Sequence, residues 1–129
     1  MSDLVRTMAA SASGMAAQTA RLRLSAENIA NADTPGYRRK TVTFEEVRAQ
    51  GDPRTVETGR VRLDRSALQE VFEPGHPMAD ARGFYEGSNV DLMVEIADSR
   101  EAQRSYEANL RMFDQARQMT ASLLDLLRR

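Results

Sequence analysis

Residues 91–127 read DLMVEIADSREAQRSYEANLRMFDQARQMTASLLDLL, without a single Pro or Gly. At about 1.5 Å of rise per residue this predicts ~55 Å of uninterrupted helix. Tyr106, Phe113 and Leu127 keep a step of seven, with Thr120 filling the gap. That step holds side chains on one helix face. Ile96, Leu110, Leu123 and Leu124 join the stripe, and Met112, Met119 and Leu126 widen it. The opposite face is charged, with Asp98, Glu101, Glu107, Asp114 and Asp125 among Arg100, Arg104, Arg111 and Arg117. Ser88 and Asp91 fit the capping-box spacing that starts a helix.

The other end of the chain matches this one. From Leu4 to Ala30 there is no Pro, Gly14 is the only Gly, and Ala dominates. Such a run favours helix and spans ~40 Å. Its face reads Leu4, Met8, Met15, Leu22 and Ile29, with Met1 preceding in the same step of seven and small Ala12 and Ala26 between. The segment Asn31-Ala-Asp-Thr-Pro35-Gly36-Tyr37 stops it, because Asn and Asp bond their own backbone, Pro cannot continue a helix and Gly accepts positive φ.

Between the helices lie short strand-like pieces at residues 40–44, at Val61 and Leu63, and around Leu68, Val71 and Phe72. Gly51-Asp52-Pro53 and Pro74-Gly75-His76-Pro77 punctuate them. The expected fold is mainly α. Two long amphipathic terminal helices pack antiparallel in a coiled-coil-like pair, and a small β or irregular segment caps one end. The expected division is an N-terminal helical arm at 1–32, a middle segment at 33–88 and a C-terminal helical arm at 89–129, within one structural unit. The apolar stripes exceed what one partner helix can cover, so the surplus is expected to meet neighbouring molecules and the isolated chain to fray at its termini.

Composition narrows the function. The net charge of -1 provides no field for nucleic acid or an anionic membrane. Lys40 is the only lysine, and the Arg-rich remainder suits forked contacts with carboxylates at protein interfaces. Cysteine is absent, which excludes disulfides, thiolate zinc sites and Cys nucleophiles. No run approaches a membrane span, and Ser11, Ser13, Gln18 and Thr19 interrupt any apolar signal core, so no cleaved signal peptide is expected. Nucleotide loops, nucleophile elbows and metal spacings are missing. No catalysis, cofactor, metal or small-molecule substrate is expected.

The run from Ser25 to Arg38, with Asn28, Asn31, Pro35, Gly36 and Tyr37 at its centre, resembles the N-terminal signature of bacterial flagellar axial proteins, the rod, hook and hook-associated subunits. A second run is similar to one that marks a proximal-rod branch of that family. It holds Pro74, Gly75, His76 and Pro77, then Gly83-Phe84, then Asn89 and Asp91. The resemblance implies a structural subunit that polymerises through its terminal helices into a helical tube, with itself and other rod proteins as partners. It further implies docking on a membrane-embedded basal ring, export by the flagellar type III apparatus and a periplasmic location. A sister rod subunit is one alternative, and a soluble helical dimeric adaptor is another.

Single residues receive plainer readings. His76 is the only histidine, in a rigid turn with Glu73 and Asp80 nearby, and is expected to serve turn and packing. Asn28 and Asn31 are expected to cap the first helix locally, with a bond to a neighbouring subunit as the alternative. The basic run Tyr37-Arg38-Arg39-Lys40 is expected to be a solvated face, with contact to an acidic patch on a neighbour as the next reading and nucleic acid last. The apolar positions of both stripes, namely Leu4, Met8, Met15, Leu22, Ile29, Ile96, Tyr106, Leu110, Phe113, Leu123, Leu124 and Leu127, are the expected subunit interface.

Overall fold

The structure is a computed structural model that describes residues 2–48 and 50–128, so Met1 of the expected N-terminal row lies outside the described residues. Helix α1 runs from Asp3 to Ala30. Ser2 caps it by accepting from the Val5 amide, and Asp3 places a negative charge in its first turn. Six short strands follow: β1 (Lys40–Thr41), β2 (Phe44–Val47), β3 (Thr55–Thr58), β4 (Arg62–Leu63), β5 (Glu70–Phe72) and β6 (Phe84–Glu86). Helix α2 runs from Leu92 to Leu127. Among the described residues no helix is long and apolar enough to cross a membrane.

The two helices pack antiparallel, as expected. Gly14 faces Asn109, Arg21 faces Asp98 and Glu101, and Asn28 faces Glu95. The seam between them is not the expected apolar row. On α1 the buried residues are Ser11, Ala17, Leu24, Ser25 and Asn28. On α2 they are Glu95, Ala102 and Ala116. The step of seven is present, as Gly14, Arg21 and Asn28 on one side and Glu95, Ala102, Asn109 and Ala116 on the other. The row Leu4, Met8, Met15, Leu22 and Ile29 is turned roughly 100° away from it. Small side chains explain the choice, because they let two backbones approach closely. A Cβ on Gly14 would come within 2.8 Å of the Asn109 amide.

The middle segment makes three two-stranded antiparallel ribbons, β1–β4, β2–β3 and β5–β6. It does more than cap one end of the helices, contrary to expectation. The β2–β3 ribbon lies back along α1, where the Val56 amide donates to Ser13 Oγ at 3.0 Å. Strands β3 and β6 fall where the sequence suggested none.

The start of α2 also differs from the capping-box expectation. Asp91, not Ser88, is the N-cap, accepting from the Met93 amide at 3.0 Å. The Ser88 hydroxyl donates to the Ala32 carbonyl and accepts from the Val90 amide. It ties the end of α1 to the approach of α2.

Candidate functional site

Asn28 and Tyr37 of the first signature meet at one buried polar junction of α1, β1 and α2, with Asn89 of the second beside them. Asn28 is 1% exposed. Its amide nitrogen donates to the Lys40 carbonyl at 2.9 Å and to Glu95 Oε1 at 3.3 Å. Its oxygen accepts from the Tyr37 hydroxyl at 2.8 Å and the Lys40 amide at 2.9 Å. Asn28 is therefore a tertiary bridge, and the expectation of local capping is corrected for it. Buried polar atoms are paired in the large majority of cases, and those of the Asn28 amide all are. Asn31 does act locally, donating to the Glu27 carbonyl and accepting from Thr34 Oγ1.

Glu95 is fully buried. Arg39 Nε donates to its Oε1, and Arg39 also reaches Asp98 Oδ2 at 2.7 Å. Burial opposes the charge on Arg39, but the hydrogen bond and charge of Glu95, with Asp98, raise its pKa above the ordinary value. Lys40 pairs with Glu27. The basic run is thus not a solvated face, because Arg39 and Lys40 are held in ion pairs and Arg38 donates to the Asp64 and Ser66 carbonyls. Burial and the charge of Glu27 push the Tyr37 hydroxyl up from its usual pKa, which keeps it a donor to Asn28.

Asn89 closes the junction from the other side. Its oxygen accepts from the Arg39 amide at 2.6 Å, and its nitrogen donates to the Asp64 carbonyl at 2.9 Å. Gly36 has φ +74° and donates its amide to the Glu86 and Gly87 carbonyls. A side chain there resists that conformation by about 1–2 kcal/mol. Among the described residues no atom beyond its two chain neighbours lies within 4 Å of a Cβ built on it, so the cost is backbone strain. Gly36→Val is expected to lower the urea midpoint of unfolding and Gly36→Asn to lower it less. Equal midpoints for wild type and Gly36→Val would contradict the strain.

The second signature is a separate hairpin. Pro74, Gly75, His76 and Pro77 lie in the connection between β5 and β6. The His76 ring stacks on Tyr85 with centroids 3.9 Å apart, and its Nδ1 accepts from the Met78 amide. Among the described residues no group of His, Asp and Glu could hold a metal ion.

None of the expected interface positions is fully buried. Leu4, Met8, Met15, Leu22, Tyr106 and Phe113 are half-buried, and Ile29, Ile96, Leu110, Leu123, Leu124 and Leu127 are exposed. The antiparallel register brings the start of α1 opposite about Thr120, given equal rise in both helices. Beyond it α2 overhangs. Leu124 is 55% exposed and Leu127 82%.

Comparison with known proteins bears on this arrangement. A family model described as "Flagella basal body rod protein" matches residues 8–38, and one described as "Flagellar basal body rod FlgEFG protein C-terminal" matches residues 81–126. A flagellar basal-body rod protein FlgC of Agrobacterium fabrum is 44% identical over 124 residues, covering 90% of this chain and 89% of its own length. The FlgC of Salmonella typhimurium is 35% identical over 125 residues, covering 88% and 90%. That of Aquifex aeolicus is 34% identical over 119 residues, covering 88% and 89%.

Proposed function

Because the chain belongs to the flagellar basal-body rod protein family, as a structural rod subunit of the basal body and not an enzyme, we propose that it builds the proximal rod by packing its terminal helices against neighbouring subunits. The observation that carries this is the overhang of α2. Leu123, Leu124, Leu126 and Leu127 stand exposed in one run, past the point where α1 begins among the described residues. Contiguous apolar surface of this kind favours burial against a partner.

The interface comprises the row Leu4, Met8, Met15, Leu22 and Ile29 on α1. On α2 it comprises Ile96, Tyr106, Leu110, Phe113, Leu123, Leu124 and Leu127. Neighbouring copies extend the helix pair into a coiled-coil-like layer, and the arms 1–32 and 89–129 act as assembly elements around the middle segment 33–88. The remaining parts of the proposal are docking to the membrane-embedded ring, passage through the flagellar type III apparatus and a periplasmic site.

Amide exchange of the isolated chain tests the packing. Fast exchange is expected over residues 121–128, with slow exchange near Asn28, Glu95 and Ala102, where side chains are already buried. In assembled rods the overhang is expected to become protected. Strong protection of residues 121–128 in dilute monomer would contradict the proposal. A discrete dimer that persists on dilution would favour a helical adaptor instead.

A further inference from the structure

The β2–β3 ribbon contains an unresolved charge conflict. Its register sets Glu45 directly across from Glu57, so both carboxylates leave the same face, where like charges oppose pairing. Both residues are exposed. Among the described residues neither takes part in an ion pair. Val47, two positions along the strand from Glu45, shares that face and is also exposed.

A complementary surface lies beside the next strand. Arg38, Arg60, Arg62 and Arg65 line a groove of about 940 Å³, with Val61 and Leu63 between them. Arg38 is engaged with the Asp64 and Ser66 carbonyls. Arg60, Arg62 and Arg65 are exposed and, among the described residues, form no ion pair. Val61 and Leu63 are exposed as well. Among the described residues strand β4 pairs with no strand but β1. The chain as a whole carries -1, so this is a local concentration of positive charge and not a general basic character. Arginine interleaved with apolar residues suits a protein partner, because the planar guanidinium forks onto carboxylates and is weakly hydrated.

We infer that the Glu45/Glu57 face of one copy docks in the Arg60–Arg65 groove of the next. Both faces carry the same mixture, two or three charges around one or two aliphatic side chains, with opposite sign. They are different patches of one chain, so the contact is heterologous and repeats from copy to copy without closing on itself. Carboxylate–guanidinium pairing across it removes the conflict between Glu45 and Glu57. The inference rests on the reading of the chain as an assembling subunit and adds a contact remote from the helical stripes.

Charge reversal in trans tests it. One variant carries Arg60→Glu with Arg65→Glu, both outside β4, and the other carries Glu45→Arg with Glu57→Arg. Each purified variant is first required to melt at the wild-type temperature. Should a double reversal lower it, the single reversals Arg65→Glu and Glu57→Arg carry the same test. Expressed alone in cells lacking the wild-type gene, each variant is expected to lose hooks and swimming. Expressed together they are expected to restore both, because the acidic groove of one receives the basic ribbon of the other. Pairing within a single chain could not be restored that way. Normal swimming by either variant alone would overturn the inference. So would two folded variants that fail to rescue one another, which would assign the groove to a different acidic partner. If Leu124→Asp still blocks assembly in those cases, the helical reading stands and only this contact is lost.

Discussion

Leu124→Asp is expected to leave the protein made and exported yet absent from rods, so that cells build no hooks and do not swim. Leu124 lies in the last turns of α2, beyond the reach of α1, and is 55% exposed in the isolated chain. The substitution therefore removes no packing that the monomer needs. Its whole effect falls on a partner surface. Burying a Leu side chain is worth about 1.5–3 kcal/mol, and an unpaired carboxylate in the same place costs several kcal/mol more. Repeated at every copy, such a loss prevents assembly. Asp125→Ala, on the neighbouring polar face, is expected to be nearly silent. Two strains, a swimming assay and a blot of exported protein make the comparison. Normal swimming by Leu124→Asp cells would mean that the C-terminal stripe is not an assembly surface.

Glu95→Ala is expected to weaken the monomer itself. The carboxylate is fully buried and receives Arg39 Nε and the Asn28 amide. Removing one member of a buried ion pair typically costs about 3–5 kcal/mol, because the other charge loses its partner. Asp98 retains one arm of Arg39, which places the expected loss near the lower figure, ~3 kcal/mol. In a chain of this size that lowers the melting temperature by roughly 10 °C. Glu101→Ala provides the control. Its carboxylate is largely exposed in a pair with Arg21, and exposed pairs contribute about 0–1 kcal/mol. A melting curve for Glu95→Ala that overlays the wild type would remove the junction from the account of stability.

The helices were legible in the sequence almost to the residue. Alanine-rich runs free of Pro, closed by Asn31 to Gly36, leave few alternatives, and Gly36 does take the positive φ that the turn required. The step of seven was legible too, but not which row formed the seam. Hydrophobicity selects the largest apolar side chains, and here the helices close on Gly14, Ala102 and Ala116 instead. Of the Met and Leu rows, Leu4, Met8, Met15 and Leu22 stay half-buried while Ile29, Leu123, Leu124 and Leu127 are exposed.

Glu95 is not legible because a lone carboxylate on an amphipathic helix reads as surface, even with Val94 and Ile96 on either side of it. Its partner Arg39 is 56 residues away, too far for any local pattern to connect them. Asn28 was assigned to the wrong partner for the same reason. Its position beside a helix end suggested capping, whereas its contacts reach Lys40 and Glu95. Strands β3 and β6 were missed although Thr55, Val56, Phe84 and Tyr85 favour extended backbone. At four and three residues they are too short for alternation to show, and pairing alone defines them.

The absence of cysteine from the chain makes a direct test of the central claim clean. In Leu124→Cys the new thiol is the only one, and Cys is small and apolar enough to sit where Leu does. Its rate of alkylation by a maleimide, measured on the purified protein and on isolated basal bodies, reports whether assembly covers the overhang of α2. Rapid labelling of the free protein and protection in the basal body is the predicted result. Equal labelling of both would contradict the claim that this chain joins the rod through its C-terminal stripe.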